Sequence, residues 1–233
     1  MIMKKILIII FTLFVSLSTN AQISKAQIQK VDSLAMTWNI PNAPGGVVGI
    51  MEHGELKYIK GFGLASLDYG IPCTDSTIFN IGSVSKQFTA MGIVKLNLDG
   101  KLSLDDDIRM YLPDLPDFGN RITIKNLLHH TSGLRDIHSI LTLAGWRNDD
   151  PRSNDDLFEI MKKQKELNFK PGDEYMYSNT NYIFMAKIVE VVSGRKFEEW
   201  MKENVFIPLG LTNTYIENDA TSSDLNVQAD LES

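Results

Sequence analysis

In "IFNIGSVSKQFTA", residues 78 to 90, Ser83 and Lys86 stand three residues apart at the mouth of an apolar run. On a helix that spacing places both side chains on one face, a turn from each other. A serine hydroxyl is a weak nucleophile until a base within hydrogen-bond reach takes its proton. Lysine can be that base where burial and nearby positive potential favour the neutral amine. A helix N-terminus supplies such a potential and leaves backbone N–H groups free for an oxyanion. The chemistry this pair suits is acyl transfer. Further on, "KPGDEYMYSNTNY" holds Tyr177, Ser178 and Asn179, the only Y-x-N in the chain. A tyrosine hydroxyl near a lysine can relay a proton, and an asparagine amide can accept from that lysine and donate to a substrate carbonyl. A lone Y-x-N is more often a packed tyrosine beside a capping asparagine. Two such motifs in one chain shift the balance toward chemistry.

Spacing alone decides little, because S-x-x-K occurs a second time, at Ser193 and Lys196 in "VSGRK". There the serine ends a helical pattern beside a glycine and the lysine should be solvated, so that copy reads as a C-cap. The surroundings of Ser83 differ. From Val84 to Leu98 apolar residues fall at 84, 88, 90, 91, 93, 94, 96 and 98, on nearly every face, which predicts an interior helix. A lysine in its first turn must then reach water, find a partner, or act as a neutral base.

The elements that would position these residues follow from periodicity. Residues 24 to 38 have helical spacing, and "GGVVGIMEHGELKYIKGFGLAS" reads as a hairpin turning at His53-Gly54. The interior helix stops at Asp99-Gly100. Shorter helices are expected over 122–130, over 155–167 capped by Asn154, over 181–192 and over 197–204. One helix, a few strands and then many helices predict an α+β fold with an incomplete antiparallel sheet.

Composition bounds the rest. A chain of 233 residues, 43% hydrophobic, can bury a real core. Lys4 and Lys5 precede the apolar run Ile6 to Val15, and Thr19 and Ala21 have the spacing of a cleavage site, so residues 1–21 read as a secretory signal peptide. That makes the protein periplasmic or secreted, with no stable membrane span after cleavage. Cleavage leaves 21 basic against 29 acidic residues, a net of −8 that argues against nucleic acid as partner. Cys73, the only cysteine, reads as a small buried hydrophobe. His129 and His130 are adjacent and have no carboxylate or histidine a helical turn away, so a metal site is not expected. Asp99, Asp105, Asp106 and Asp107 lack the spacing of a calcium loop and suit turns and caps. Trp146 lies in a loop, "AGWRNDDPRS", that could border a cleft.

Six blocks occur in order: "IFNIGSVSKQFTA", "LDDDIRMYLPDLP", "ITIKNLLHHTSGL", "FKPGDEYMYSNTNY", "VVSGRKFEEW" and "IPLGLTNTY". Over about residues 24 to 216 the chain resembles the serine beta-lactamase-related family of class C beta-lactamases, esterases and D-Ala-D-Ala peptidases. The resemblance implies a beta-lactamase/transpeptidase-like fold with a helical subdomain on an antiparallel sheet. It implies Ser83 as the acylated nucleophile, Lys86 sharing base duty, Tyr177 passing the proton to the leaving group, and Asn179 positioning substrate. No metal or organic cofactor is expected, and the substrate would be a beta-lactam, a D-amino-acid peptide or a small ester. The family's third motif, K-[ST]-G or H-x-G on a core strand, does not occur after Tyr177. "KPG" at 170 to 172 precedes that tyrosine, and its proline removes a ladder donor. Residues 22–216 therefore read as the N-terminal part of such a domain, with the sheet portion in about 22–78 and the helical portion in about 79–216, followed by an acidic tail, 217–233. A non-catalytic penicillin- or peptide-binding module, or an inactive N-terminal fragment, stays open beside the hydrolase.

Overall fold

The computed structural model describes residues 23–147 and 153–217. The segment read as a signal peptide and the acidic stretch beyond Glu217 lie outside the described residues. The chain divides between Phe79 and Asn80 into two compact units.

Before that division, helix α1 (Lys25–Ala35) begins where Ser24 and Gln27 cap each other's backbone N–H groups. Strands β1 (Gly46–Glu52) and β2 (Glu55–Phe62) pair antiparallel, from Gly46 opposite Phe62 to Glu52 opposite Glu55, with one slip between Ile50 and Met51. A two-residue turn matching strand twist needs positive φ at both central positions, and His53 at 51° and Gly54 at 78° provide it. Strands β3 (Leu64–Ser66) and β4 (Ile71–Pro72) make a second small antiparallel sheet. Asp32 on α1 accepts from the Tyr58 hydroxyl and the Lys60 ammonium on β2, tying helix to hairpin. Desolvation and then the Asp32 bond push the Tyr58 phenol up to about 12. Cys73 is buried, and burial pushes its thiol up.

From Asn80 on, the described chain is helical. A 3-10 turn (Gly82–Ser85) leads into α2 (Lys86–Leu98), followed by α3 (Ile124–Leu128), α4 (Ile137–Leu143), α5 (Asn154–Met161), α6 (Asn179–Ser193) and α7 (Phe197–Met201), which runs on as a π turn (Lys202–Phe206). Helices α2, α3, α4, α5 and α7 all pack against α6. On α6 the buried residues Thr180, Asn181, Phe184, Met185, Ala186, Ile188 and Val189 cover most of the circumference. Each large apolar side chain hidden this way stabilises the fold by roughly 1.5–3 kcal/mol. Among the described residues no helix is long and apolar enough to cross a membrane.

Helix α2 is not the interior rod its composition predicts. Only Gly92, Ile93 and Leu96 are buried on it, while Val84, Met91, Val94 and Leu98 are exposed. Apolar composition permits burial, but burial also needs a neighbour, and α2 finds α6 and the α7 π turn on one side only. The enclosed helix is α6. Other boundaries also shift. Thr123 caps α3 in a box with Asn126, so that helix is shorter than 122–130. Ser153, not Asn154, caps α5, and the helix ends at Met161 rather than near Leu167, because residues 168 onward leave to pair with the loop at Gly133. Helix α4, unforeseen in the sequence, starts on Asp136, whose Oδ2 accepts from the Ser139 N–H.

Candidate active site

The turn that carries Ser83 is fixed by its neighbours. Asn80 Oδ1 accepts from the Gly82 N–H at 2.9 Å, and the Ser85 hydroxyl donates to the Gly82 carbonyl at 2.6 Å. Ser83 thus projects from the 3-10 turn and Lys86 opens the helix proper, one turn away. The Lys86 ammonium donates to Ser83 Oγ at 3.3 Å and to Asn179 Oδ1 at 2.9 Å. It also lies 5.0 Å from the Tyr177 ring centre and 5.5 Å from that of Tyr182. Tyr177 Oη is 2.8 Å from Ser83 Oγ, across 94 residues of sequence, and donates to Asn179 Oδ1 at 3.3 Å. The four residues singled out in the sequence therefore meet at one point. Ser83 is exposed there and Lys86 and Asn179 are half-buried.

What brings the second motif to the first is the loop between α3 and α4. Residues 168 to 178 run beside it: Asn168 N–H donates to Gly133 O (2.8 Å), Gly172 N–H to Thr131 O (2.8 Å) and Met176 N–H to His130 O (2.9 Å). Ser178 N–H then donates to His130 Nδ1 at 3.1 Å. Asp136 Oδ1 accepts from both the backbone N–H and the side-chain amide of Asn179, at 2.6 and 2.9 Å. The Thr180 hydroxyl donates to Arg135 O at 2.7 Å and accepts from Ile137 N–H at 3.0 Å. By holding Asn179 Nδ2, Asp136 fixes the amide so that Oδ1 faces Lys86 and Tyr177.

Electrostatics bear on proton traffic. Burial pushes the Tyr177 phenol up, but hydrogen bonds to Lys86 and Ser83 and the Lys86 charge outweigh it, and the phenol sits below its ordinary value of 10.0. A phenol so placed reaches its phenolate form, the form able to accept a proton, at lower pH than free tyrosine does. His130 is buried under the site, its ring 4.6 Å from that of Tyr177. Burial and then the Lys86 charge hold the imidazole below its ordinary value of 6.5, against the Asp136 carboxylate.

Sequence reasoning missed His130 and Asp136. From the sequence His130 reads only as a metal ligand to be discounted, and Asp136 only as a possible helix cap. Asp136 three residues before Ser139, ahead of the apolar Ile137, Ile140 and Leu141, was a readable capping signal. Nothing local marked His130, since its partners lie 48 and 51 residues away. The decoys separate cleanly. The Ser193 hydroxyl donates to Glu190 O at 3.5 Å and accepts from Arg195 N–H at 3.3 Å, as a helix-end residue does, and Lys196 precedes α7. Asp106 accepts from Ser103 N–H and the Tyr111 hydroxyl, at 2.7 and 2.6 Å. Trp146 is partly exposed at the end of the described stretch before residue 148.

The family model described as Beta-lactamase matches residues 36–226. The chain is 34% identical over 180 residues to Penicillin-binding protein 4* of Bacillus subtilis (strain 168), covering 77% of this chain and 39% of that protein. It is 32% identical over 168 residues to the D-aminopeptidase of Gluconobacter oxydans (strain 621H), covering 72% of this chain and 31% of that one. The solved octameric penicillin-binding protein homologue from Pyrococcus abyssi superposes with a TM-score of 0.73 at 31% identity, over 87% of this chain and 46% of that chain. The chain thus spans less than half the length of each of these three relatives. With its helices and small antiparallel sheets it covers part of the beta-lactamase/transpeptidase-like fold, and it belongs to the beta-lactamase family of serine hydrolases.

Proposed function

We propose that this chain carries the nucleophilic half of an exported serine hydrolase that works through an acyl-enzyme on Ser83. One observation carries the reading: Ser83 Oγ, Tyr177 Oη and Lys86 Nζ lie within hydrogen-bond reach of one another, at 2.8 and 3.3 Å from the serine. Ser83 Oγ attacks the carbonyl carbon of a beta-lactam, an amide next to a D-amino acid, or a small ester. Its proton passes to the phenolate form of Tyr177 Oη, the nearer acceptor, a form that the lowered phenol value makes more accessible. Lys86 supports that base by stabilising the Tyr177 phenolate with its positive charge before the proton arrives. Among the described residues the Ser83 backbone N–H makes no hydrogen bond and is open to the tetrahedral oxyanion. Asn179 holds Lys86 and positions substrate. Tyr177 then gives the proton to the leaving amine or alcohol, and water in a second round returns the acid and free Ser83. The names of the relatives, a penicillin-binding protein and a D-aminopeptidase, support beta-lactams and D-amino-acid amides over simple esters.

The test is intact-mass and peptide-mapping spectrometry of the full chain after exposure to a fluorescent penicillin and to a fluorophosphonate. One adduct, on the peptide containing Ser83, is expected; an adduct on any other serine refutes the assignment. Decay of the penicillin adduct measures turnover, and its persistence marks penicillin binding without hydrolysis. Export rests on Lys4, Lys5, the run Ile6 to Val15 and Ala21. N-terminal sequencing of the exported protein should begin at Gln22, and recovery of the chain in the cytoplasm with Met1 intact would count against it.

A further inference from the structure

His130 sits where the two halves of the site are fastened together, and its hydrogen bonds fix its chemical state. The Ser178 backbone N–H, which can only donate, points at His130 Nδ1 from 3.1 Å. Asn181 Nδ2 lies 3.1 Å from the same nitrogen. The orientation of that amide is set on its far side. Ser132 Oγ accepts from Leu134 N–H at 3.1 Å and so turns its own hydrogen to Asn181 Oδ1 at 2.6 Å. Oδ1 is thereby occupied and Nδ2 is the atom facing the imidazole. Two donors converge on Nδ1, so Nδ1 carries no proton. The ring must be neutral and protonated on Nε2 alone.

Ser178 lies between Tyr177 and Asn179. We propose that His130 is a positioning residue for the Ser83 site: as a neutral, Nε2-protonated imidazole it anchors the Ser178 backbone, and through it holds Tyr177 and Asn179 against Lys86. This rests on the functional reading above and adds a condition to it. A proton arriving on Nδ1 breaks the Ser178 and Asn181 bonds together. It also places a second positive charge beside Lys86, the nearest cation facing the ring. The other titratable groups around it are Asp136 from the start of α4 and the rings of Tyr175, Tyr177 and Tyr182. One carboxylate does not offset the loss of both acceptor contacts. Burial keeps the imidazole below 6.5, so the anchor is intact at neutral pH and fails in acid. The same protonation weakens the fold. The folded value is depressed, so its contribution to stability is complete above 6.5 and is lost as pH falls through the lower, folded value.

Two variants separate positioning from mere structure. His130→Asn keeps an acceptor near the Nδ1 position, does not titrate, and tolerates the positive backbone φ of 56°. His130→Ala leaves the Ser178 N–H and the Asn181 amide without their acceptor. In long-range 15N–1H spectra of the full chain at pH 7.5, His130 Nδ1 should show the shift of an unprotonated nitrogen, and the Ser178 amide should move with the His130 titration. The rate of Ser83 acylation by a fluorophosphonate should fall below pH 6.5 along the same curve. His130→Ala should slow that rate about tenfold or more at pH 8. His130→Asn should recover most of it and lack the acid fall. A proton on Nδ1 at pH 7.5, a Ser178 amide indifferent to the titration, or an unchanged acid limb in His130→Asn each overturns the proposal. Failure of Ser83 to acylate in the parent chain refutes the functional reading instead, and the tautomer and the Ser178 shift still decide the anchor.

Discussion

Lys86→Met is expected to slow acylation of Ser83 by about 10⁴-fold or more, as loss of one member of a catalytic group does elsewhere, with the circular dichroism spectrum unchanged. Methionine keeps the length and apolar stem of the lysine but removes the nitrogen that contacts Ser83 Oγ at 3.3 Å and Asn179 Oδ1 at 2.9 Å. Two losses combine. The cation that pulls the Tyr177 phenol below 10.0 disappears, so burial, the largest influence on that group, prevails and pushes it up. At neutral pH the fraction of Tyr177 able to take the serine proton then shrinks. Asn179 Oδ1 also loses its closest partner in the site. Residual acylation in Lys86→Met should therefore rise with pH further into the alkaline range than the parent does. Stopped-flow or mass-resolved rates with a fluorophosphonate between pH 6 and 10 measure both effects. A variant acylating within about tenfold of the parent at pH 7 would show that Tyr177 needs no ammonium beside it, and the three-residue assignment would fail.

Gly133→Ala should destabilise the helical unit by about 3 kcal/mol or more, and should also lower Ser83 acylation. Gly133 has φ of 75°, which costs an L-residue of roughly 1–3 kcal/mol. A Cβ placed there would also lie 2.1 Å from the Phe169 carbonyl oxygen, far inside contact distance. That oxygen belongs to backbone, so relief means parting residues 168–169 from the loop and breaking the Asn168 N–H bond to Gly133 O, 2.8 Å long. The displaced segment is the one that leads to Tyr177. Gly119→Ala is the control, because Gly119 has a similar φ of 69° but nothing near its absent Cβ. Urea denaturation at unchanged m should give Gly119→Ala the strain cost alone and Gly133→Ala clearly more. Equal losses at the two positions would mean that the pairing of residues 168–176 with 130–133 is slack, and with it the placement of Tyr177.

Much of the local structure was legible because its causes are local. The hairpin turn at His53-Gly54 follows from residues that tolerate positive φ between two β-prone runs. The S-x-x-K pair lies on one face because a helical turn puts residues three apart in register. Capping was legible in principle at Ser153 and Asp136: at the first, Asn154 next to it is an equally good capping residue, and at the second the short helix that it starts is not expected from the sequence. Burial was harder. Val84 to Leu98 is richly apolar, yet only one side of α2 meets a partner, whereas α6, with Thr180 and Asn181 in its first turn, is enclosed. Polar residues lowered its apparent right to the interior, but each is satisfied there by a hydrogen bond to the 130–137 loop.

By itself the sequence determined which groups could act: a hydroxyl one helical turn from an amine, and elsewhere a phenol two residues from an amide. Only tertiary structure decided that these pairs face each other, with Ser83 Oγ 2.8 Å from Tyr177 Oη. Helical spacing is set by the backbone within a single turn, while a contact spanning 94 residues depends on how the 130–136 loop grips residues 168–181. That grip runs largely through main-chain N–H and carbonyl groups, which every residue but proline possesses. Their pairing leaves almost no mark on residue identity, and the side chains of His130 and Asp136 act on partners 48 and 43 residues further along, so their part in the site shows only in the folded chain.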